Sequence, residues 1–173
     1  MINVGVIGLG HWGPNLVRNF IEIPDTEVTI VCDSDSECLR RACTRFPQTH
    51  GHSAWEDVLN HEKIDAVAIA TPTKTHYPLA KKAIENGIHT FVEKPLATST
   101  EECEDLIRLA DEKGVVLFVG HVFLYNAAVI KLKDIIDNGE LGDICYISST
   151  RLNLGPVRRD VNALWDLATH DIS

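Results

Sequence analysis

Three glycines near the N-terminus have a spacing that suits the binding of a phosphate group. They form Gly8-x-Gly10-x-x-Gly13, directly after an apolar run and before an amphipathic one. In a strand–turn–helix context the first glycine allows the tight turn, the second lets the backbone approach a pyrophosphate, and the third lets helix and strand pack closely. Alone, the spacing is equally typical of an ordinary glycine-rich turn. His11 and Trp12, inside the turn, are cofactor-binding candidates as rim or packing residues and not as catalysts.

Asp33 supplies the second half of this motif. It lies 33 − 13 = 20 residues after Gly13, at the end of the next predicted strand. A carboxylate at that point accepts hydrogen bonds from the adenosine ribose and repels a 2′-phosphate. Its neighbours Ser34 and Asp35 bring no positive charge that would neutralise such a phosphate. The pattern therefore predicts NAD, with NADP disfavoured; the alternative is a turn or helix-capping aspartate.

Polar residues also follow three later apolar runs, where the predicted strands end. In an open parallel sheet these ends meet at the edge where ligands bind. Glu93 and Lys94 follow the fifth run, and His121 follows the sixth. The loop after the fourth run supplies further cofactor-binding candidates, namely Thr71, Pro72, Thr73 and His76. From the residues alone, Lys94 is equally well a solvated surface lysine, and the threonine-rich loop a simple turn before a helix.

The C-terminal part carries a second group of polar side chains. Asp166 and His170 lie 170 − 166 = 4 residues apart, so they share one face of a helix. That placement fits the lining of a cleft and equally an exposed ion pair. Possible substrate contacts precede them: Tyr125, Asn126, Arg151, Asn153, Arg158 and Arg159. Arginines suit an anionic ligand, although the same segment also fits a solvated loop.

The composition excludes several classes of function. The chain has 173 residues, 16 Lys plus Arg against 25 Asp plus Glu, and a formal net charge of −9, which disfavours a nucleic-acid partner. It has no apolar run of ~18 residues that would span a membrane, and no signal-peptide pattern at its start. Because the five cysteines lack CxxC spacing, we expect free thiols in the cytoplasm. His50 and His52 are too few ligands for a metal site, so none is expected.

Alternating elements must position these residues. Short runs rich in Val and Ile are separated by amphipathic stretches, which is typical of buried parallel strands joined by helices. The predicted strands are 2–7, 27–32, 48–52, 66–70, 88–92 and 115–119, and the predicted helices are 12–21, 36–46, 55–60, 76–86 and 100–113, the last with Thr100 as its N-cap. This pattern predicts an α/β fold with a doubly wound parallel (Rossmann) sheet, forming a dinucleotide-binding domain over residues 1–121.

The pattern changes after this domain. The residue pattern predicts helices over 127–138 and 162–173. The side chains of residues 144–151 alternate as they do in a strand, which would belong to a different sheet. A lone strand cannot form a sheet by itself. We therefore expect residues 122–173 to be the start of an incomplete α+β substrate domain. Its single strand should pair with another copy of the chain or be poorly ordered.

Together the motifs resemble those of the glucose–fructose oxidoreductase, inositol dehydrogenase and rhizopine-catabolism family, abbreviated Gfo/Idh/MocA. The motifs are the glycine turn, Ala70-Thr71-Pro72-Thr73-x-x-His76, Glu93-Lys94-Pro95, Val119-Gly120-His121 and Asp166-x-x-x-His170. The resemblance implies NAD(P)-dependent oxidation of a secondary hydroxyl, or reduction of the ketone, on a sugar, cyclitol or nucleotide-sugar. It also implies a homo-oligomer, because the family's C-terminal domain often mediates oligomerisation.

The same resemblance implies roles for individual residues. His170 would be the general base, Lys94 would stabilise the charge developing on the same oxygen, and Asp166 would orient one of them. Glu93 and the 71–76 loop would lie beside the nicotinamide. Substrate contacts would come from Lys94, Tyr125, Arg151, Asn153 and His170. Two functions stay open: an NAD-dependent sugar oxidoreductase, and a truncated dinucleotide-binding module that binds NAD without turnover.

Overall fold

The computed structural model describes residues 1–151, residue 162 and residues 164–172, apart from the side chain of Asp166. The chain divides into two units, Met1–Val119 and Gly120–Ser173, and each is described by itself. Two of the predicted features, Asn153 and the loop 154–160 with its two arginines, lie outside the described residues.

The first unit alternates strands and helices throughout. The strands are β1 (Ile2–Ile7), β2 (Thr26–Cys32), β3 (His50–His52), β4 (Ala66–Ile69), β5 (His89–Val92) and β6 (Leu117–Val119). The helices are α1 (Gly13–Glu22), α2 (Ser36–Arg45), α3 (Trp55–Leu59), α4 (His76–Glu85) and α5 (Thr100–Lys113). All of these elements were predicted, and their bounds differ from the prediction by two residues or fewer at each end.

The six strands form one parallel sheet in the order β3-β2-β1-β4-β5-β6. This order reverses direction between β1 and β4, and open sheets of this kind bind ligands at the carboxyl ends of the strands near that point. The doubly wound parallel sheet predicted from the sequence is confirmed.

Apolar cores on both faces of the sheet hold the strands in place. On one face α1 and α2 pack against side chains that include Val4, Val6 and Val31. On the other face α3, α4 and α5 pack against a set that includes Ile7 and Ile69. Because both faces are covered, the strands are near-continuous apolar runs, and polar residues are left to the loops at the sheet edges.

The N-cap of α5 differs from the prediction. Ser99, and not Thr100, is the capping residue: its backbone is extended and its hydroxyl accepts a hydrogen bond from the Glu102 N–H at 3.3 Å. The Glu102 carboxylate in turn accepts one from the Thr98 N–H at 2.9 Å. The sequence Thr98-Ser99-Thr100 offers three hydroxyls in a row, so type alone did not identify the cap.

The second unit contains a short 3₁₀ turn at Val122–Tyr125 and helix α6 (Ala127–Asp137), whose N-cap is Asn126. Residues 164–168 form a π-helical turn that continues into α7 (Thr169–Ile172). The predicted C-terminal helix is thus present over 164–172, but its first part is wider than an α-helix. π-Helical turns are rare and are found disproportionately at functional sites.

The strand predicted over residues 144–151 is wrong. These residues have no regular secondary structure, and Tyr146 and Ile147 are 84% and 82% exposed. A strand needs a neighbour for its N–H and C=O groups, and no neighbouring strand occurs among the described residues of this unit. Alternation of side chains therefore was not enough to make a strand. Among the described helices, none has the length and apolar character needed to cross a membrane.

Candidate functional site

The glycine turn between β1 and α1 has a distinct geometry at each of its three glycines. Gly8 has a φ of +95°, a conformation that strongly favours glycine. A methyl group on Gly13 would lie 1.9 Å from the Gly8 carbonyl oxygen, so the helix start packs directly on the turn. At Gly10 the same methyl would meet no atom within 4 Å, which leaves the backbone open to a ligand. The three predicted glycine roles are therefore consistent with the geometry.

Helix α1 begins without a side chain to satisfy its N–H groups. Trp12 occupies the N-cap position and makes no side-chain capping bond, and the first turn holds no acidic residue. By contrast, the N-terminus of α2 is capped by Asp35, whose carboxylate accepts from the Glu37 and Cys38 N–H groups. Those two bonds lower the pKa of Asp35, the Glu37 bond having the larger effect. In α1, Pro14 has no N–H and the Asn15 N–H donates to the Trp12 carbonyl at 2.9 Å. The start of α1 can therefore offer a phosphate the Gly13 N–H and the partial positive charge of the helix, without competition from a capping carboxylate.

Asp33 is bound to the glycine turn itself. Its Oδ2 atom accepts a hydrogen bond from the Leu9 N–H at 2.6 Å, and its Oδ1 atom accepts one from the Asp35 N–H at 2.8 Å. A carboxylate has about four lone-pair positions, so one on each oxygen is left for a ligand hydroxyl. The residue is half-buried. The carboxylate is thus fixed beside the turn, with the acceptors that a ribose diol needs.

The loops after β4 and β5 are tied together through His76. Its ring nitrogens lie 2.7 Å from the Thr71 carbonyl oxygen and 2.8 Å from the Pro95 carbonyl oxygen. The Thr75 hydroxyl lies 2.8 Å from the Thr71 hydroxyl and strengthens the first loop. His76 and Thr73 are each 1% exposed, so we expect these two predicted cofactor-binding residues to act by shaping the loop. Pro72, in contrast, is exposed.

Glu93 and Lys94 follow β5 at the same edge of the sheet, and both are half-buried. Burial raises the pKa of the Glu93 carboxyl, while the Lys94 backbone N–H and the Lys94 charge act in the opposite direction. The Lys94–Pro95 peptide bond is cis. Beside the glycine turn, His11 and Trp12 are exposed and their rings meet edge to face, with centroids 5.8 Å apart.

In the second unit Arg151 is held by other protein groups. Its Nε and Nη2 atoms each donate to the Asp171 carboxylate at 2.8 Å, and the guanidinium lies 4.6 Å from the centre of the Phe123 ring. The Phe123 ring also lies beside His170, with ring centroids 4.8 Å apart. Tyr125 is 67% exposed. The pairing of Arg151 with Asp171 was not predictable from the sequence, because the two residues are 20 positions apart.

The structure thus brings the predicted cofactor residues of the first unit to one edge of the sheet. They are Gly8, Gly10, His11, Trp12, Gly13, Asp33, Thr71, Pro72, Thr73, His76, Glu93 and Lys94. Two backbone groups that take part, the Leu9 N–H and the Pro95 carbonyl, were not predicted from the sequence. Residue type carries no signal for either, because only their main-chain atoms take part. The predicted roles of individual residues, including Asp166, remain predictions.

A parallel sheet of this order, with a glycine turn and an acid closing β2, defines a dinucleotide-binding Rossmann domain. Comparison with known proteins agrees. Residues 2–121 match the Gfo/Idh/MocA model, described as an oxidoreductase family with an NAD-binding Rossmann fold. The chain therefore belongs to the Gfo/Idh/MocA oxidoreductase family.

Individual relatives cover most of this chain. The UDP-N-acetylglucosamine 3-dehydrogenase of Acidithiobacillus ferrooxidans is 32% identical to this chain, and the match covers 99% of this chain and 52% of that protein. The crystal structure of GenD2 from gentamicin A biosynthesis, in complex with NAD, is 29% identical with a TM-score of 0.77, covering 80% of this chain and 40% of that one. The crystal structure of KijD10, a 3-ketoreductase from Actinomadura kijaniata in complex with NADP, is 28% identical with a TM-score of 0.76, and the match covers 82% of this chain and 45% of that one. The chain thus spans about half the length of these relatives.

Proposed function

We propose that this chain is the dinucleotide-binding part of an NAD-dependent oxidoreductase. Its substrate would be a sugar, cyclitol or nucleotide-sugar, oxidised at a secondary hydroxyl or reduced at the corresponding ketone. The observation that carries the proposal is the Asp33 carboxylate, held 2.6 Å from the Leu9 N–H of the glycine turn. The substrate class is supported by the similarity to a protein named UDP-N-acetylglucosamine 3-dehydrogenase.

Three features of the first unit would hold the cofactor. The open backbone at Gly10 and the uncapped start of α1 would receive the pyrophosphate. Asp33 would accept hydrogen bonds from the adenosine ribose. Its negative charge, together with that of the Asp35 carboxylate, would repel a 2′-phosphate. The bound nicotinamide would accept or return a hydride, and the protein would supply its position and the charges around it.

The remaining roles concern the proton and the substrate oxygen. Lys94 would donate a hydrogen bond to that oxygen and stabilise its negative charge. His170 would take or return the hydroxyl proton, with Asp166 orienting one of the two partners. Residues 122–173 would form the start of a substrate domain. Its proposed substrate contacts are Tyr125, Arg151, Asn153 and His170.

Cofactor binding is the first test. Isothermal titration with NAD and with NADP should give saturable binding with a clear preference for NAD. Absence of binding to either at millimolar concentration would refute the proposal. A panel of sugars and nucleotide-sugars with NAD should then produce the absorbance of reduced nicotinamide. Tight NAD binding with no turnover on any substrate would instead favour a module that only binds the dinucleotide.

Lys94 and Lys74 form a matched pair for the catalytic step. Lys94→Met should abolish turnover, because its ammonium is proposed to act on the substrate oxygen, and titration with NAD measures its predicted contact with the cofactor separately. Lys74→Met, at an exposed position in the turn before α4, should leave turnover unchanged. Equal turnover in the two variants would remove Lys94 from the proposed mechanism.

A further inference from the structure

Helix α7 carries His170, and it has little structure of its own to hold that residue in place. It contains four residues, Thr169–Ile172, none of them buried, and it follows a π-helical turn. Isolated helices shorter than about 12 residues are marginal in water, because formation of the first turn is unfavourable. Contacts from other segments of the second unit are therefore needed to fix the direction in which the His170 ring points.

Arg151 joins α7 to a distant segment through a contact at two points. Its Nε atom donates to one oxygen of the Asp171 carboxylate and its Nη2 atom to the other, each at 2.8 Å. The two side chains are 28% and 25% exposed, so water and salt screen the ion pair only in part. These hydrogen bonds, with a smaller effect from Ser149, lower the pKa of the Asp171 carboxyl. A planar guanidinium bound at two points fixes both the distance and the orientation of the carboxylate.

The Phe123 ring contacts both the ion pair and the proposed base. The guanidinium carbon of Arg151 lies 4.6 Å from its centre, which is within the range of a cation–π attraction. The centroid of the His170 ring lies 4.8 Å from the same centre, and the two rings are tilted by 44°. The 3₁₀ turn Val122–Tyr125, residue 151 and helix α7 therefore meet in one cluster, although they are far apart in the sequence.

We propose that Arg151 and Asp171 are positioning residues that hold α7 so that the His170 ring keeps one orientation beside Phe123. Asp171 directly follows His170, so a carboxylate fixed at two points also fixes the backbone that carries the imidazole. An arginine has several N–H donors and Asp171 takes two of them, which leaves others for the substrate contact proposed above. The consequence for catalysis rests on the proposed function, whereas the coupling of the ion pair to the His170 ring does not.

The two charges of the pair separate positioning from substrate binding alone. If Arg151 acted only by attracting an anionic substrate, a lysine at position 151 would keep that attraction, and removal of the Asp171 charge would strengthen it. If the pair positions His170, Arg151→Lys and Asp171→Asn should both be damaging. Lysine has a single ammonium group without the planar fork, and asparagine keeps only one acceptor oxygen.

Proton–carbon NMR of the full chain tests the coupling without substrate or cofactor. The His170 ring signals are identified by their loss in His170→Gln, and the ring current of Phe123 makes their positions depend on how the two rings face each other. Arg151→Lys and Asp171→Asn should each move these signals towards those of a solvated histidine. The double variant should move them no further than either single one, because both changes break the same contact. Unchanged signals in either variant, or single effects that add, would overturn the proposal.

The Lys133–Asp137 ion pair is the matched control. It lies in the same unit, within α6, with the Lys133 Nζ atom 2.7 Å from the Asp137 carboxylate. Asp137→Asn makes the same chemical change as Asp171→Asn and should leave the His170 signals in place. The backbone amide signals of α6 should persist in every variant. If Asp137→Asn moves the His170 signals as far, or if the α6 signals are lost in Arg151→Lys and Asp171→Asn, the pair supports the unit as a whole and the positioning role is refuted.

Turnover and NAD binding separate this inference from the proposed function. With a substrate that is turned over, Asp171→Asn should lower kcat by roughly 10-fold to 100-fold and change KM little, because a misplaced base slows the reaction more than it weakens binding. An unchanged kcat would refute the catalytic consequence. If the chain binds no NAD but the His170 signals respond as described, the coupling stands and the proposed function fails. If NAD binds and substrate is turned over while the signals do not respond, the proposed function stands and this inference fails.

Discussion

Replacing Asp33 by alanine tests the cofactor site most directly. The change removes the acceptors for two ribose hydroxyls, and hydrogen bonds to a charged group contribute about 1.5 kcal/mol each at the low end of measured values. The sum, about 3 kcal/mol, corresponds to a loss of roughly 100-fold in NAD affinity. NADP should lose much less, because the same change removes a negative charge from the position of its 2′-phosphate.

The structure adds a second effect to this variant. Asp33 also accepts from the Leu9 and Asp35 N–H groups, so Asp33→Ala should lower the free energy of unfolding by about 1–3 kcal/mol. Asp65→Ala is the matched control. Asp65 accepts from the Asn3 N–H at 2.8 Å and from its side-chain amide at 3.0 Å, but it precedes β4 at the opposite edge of the sheet. Asp65→Ala should lower the free energy of unfolding by a similar amount and leave NAD affinity unchanged.

Calorimetric titration and urea unfolding measure the two effects separately. Both variants are titrated with NAD and with NADP under conditions in which each remains folded. Equal losses of NAD and NADP affinity in Asp33→Ala would refute the ribose assignment. A comparable loss of NAD affinity in Asp65→Ala would show that affinity follows stability and not the local carboxylate.

Three further predictions concern packing and charge. Gly13→Ala should destabilise the fold by about 3 kcal/mol, because its methyl would lie 1.9 Å from a main-chain oxygen, whereas Gly10→Ala should leave thermal stability unchanged and weaken NAD at least tenfold. Hydrogen bonds from Lys81, Arg108 and Tyr77, in that order of effect, lower the pKa of Asp105. The ionised Asp105 carboxylate therefore stabilises the fold above its unfolded pKa of ~3.9, and this contribution is lost as the pH falls through its lower folded pKa. The difference in urea midpoint between the unmodified chain and Asp105→Asn should accordingly shrink below about pH 4. Burial raises the pKa of the Cys32 thiol to about 12, so Cys32 should resist iodoacetamide until unfolding while the exposed Cys145 reacts at once; early mass labelling of Cys32 would contradict its burial.

Much of the first unit was predictable because its signals are local. Buried parallel strands need short apolar runs, and helices that cover them need apolar faces, so β1 to β6 and α1 to α5 are visible in the order of residue types. The glycine spacing and Asp33 were equally visible, because a tight turn and a ribose acceptor each require a particular residue type. The N-cap of α5 was not, since Thr98, Ser99 and Thr100 are chemically similar.

Prediction failed where a structure depends on a partner outside the segment. Residues 144–151 alternate as a strand does, but a strand exists only with a neighbour for its backbone groups. The π-helical turn at 164–168 has no compositional signature, because its wider hydrogen bonds depend on packing. The pairing of Arg151 with Asp171 likewise required the folded chain to bring distant residues together.

The amino-acid sequence by itself determined the order of elements, the parallel sheet, the glycine turn and the acid that closes β2. Each of these follows from residue types over a few neighbouring positions. Tertiary structure alone decided that Asp33 accepts from the Leu9 N–H, and that His76 joins the Thr71 and Pro95 carbonyls. The partners in these contacts are backbone atoms, which every residue carries, so only the path of the chain in space selects them.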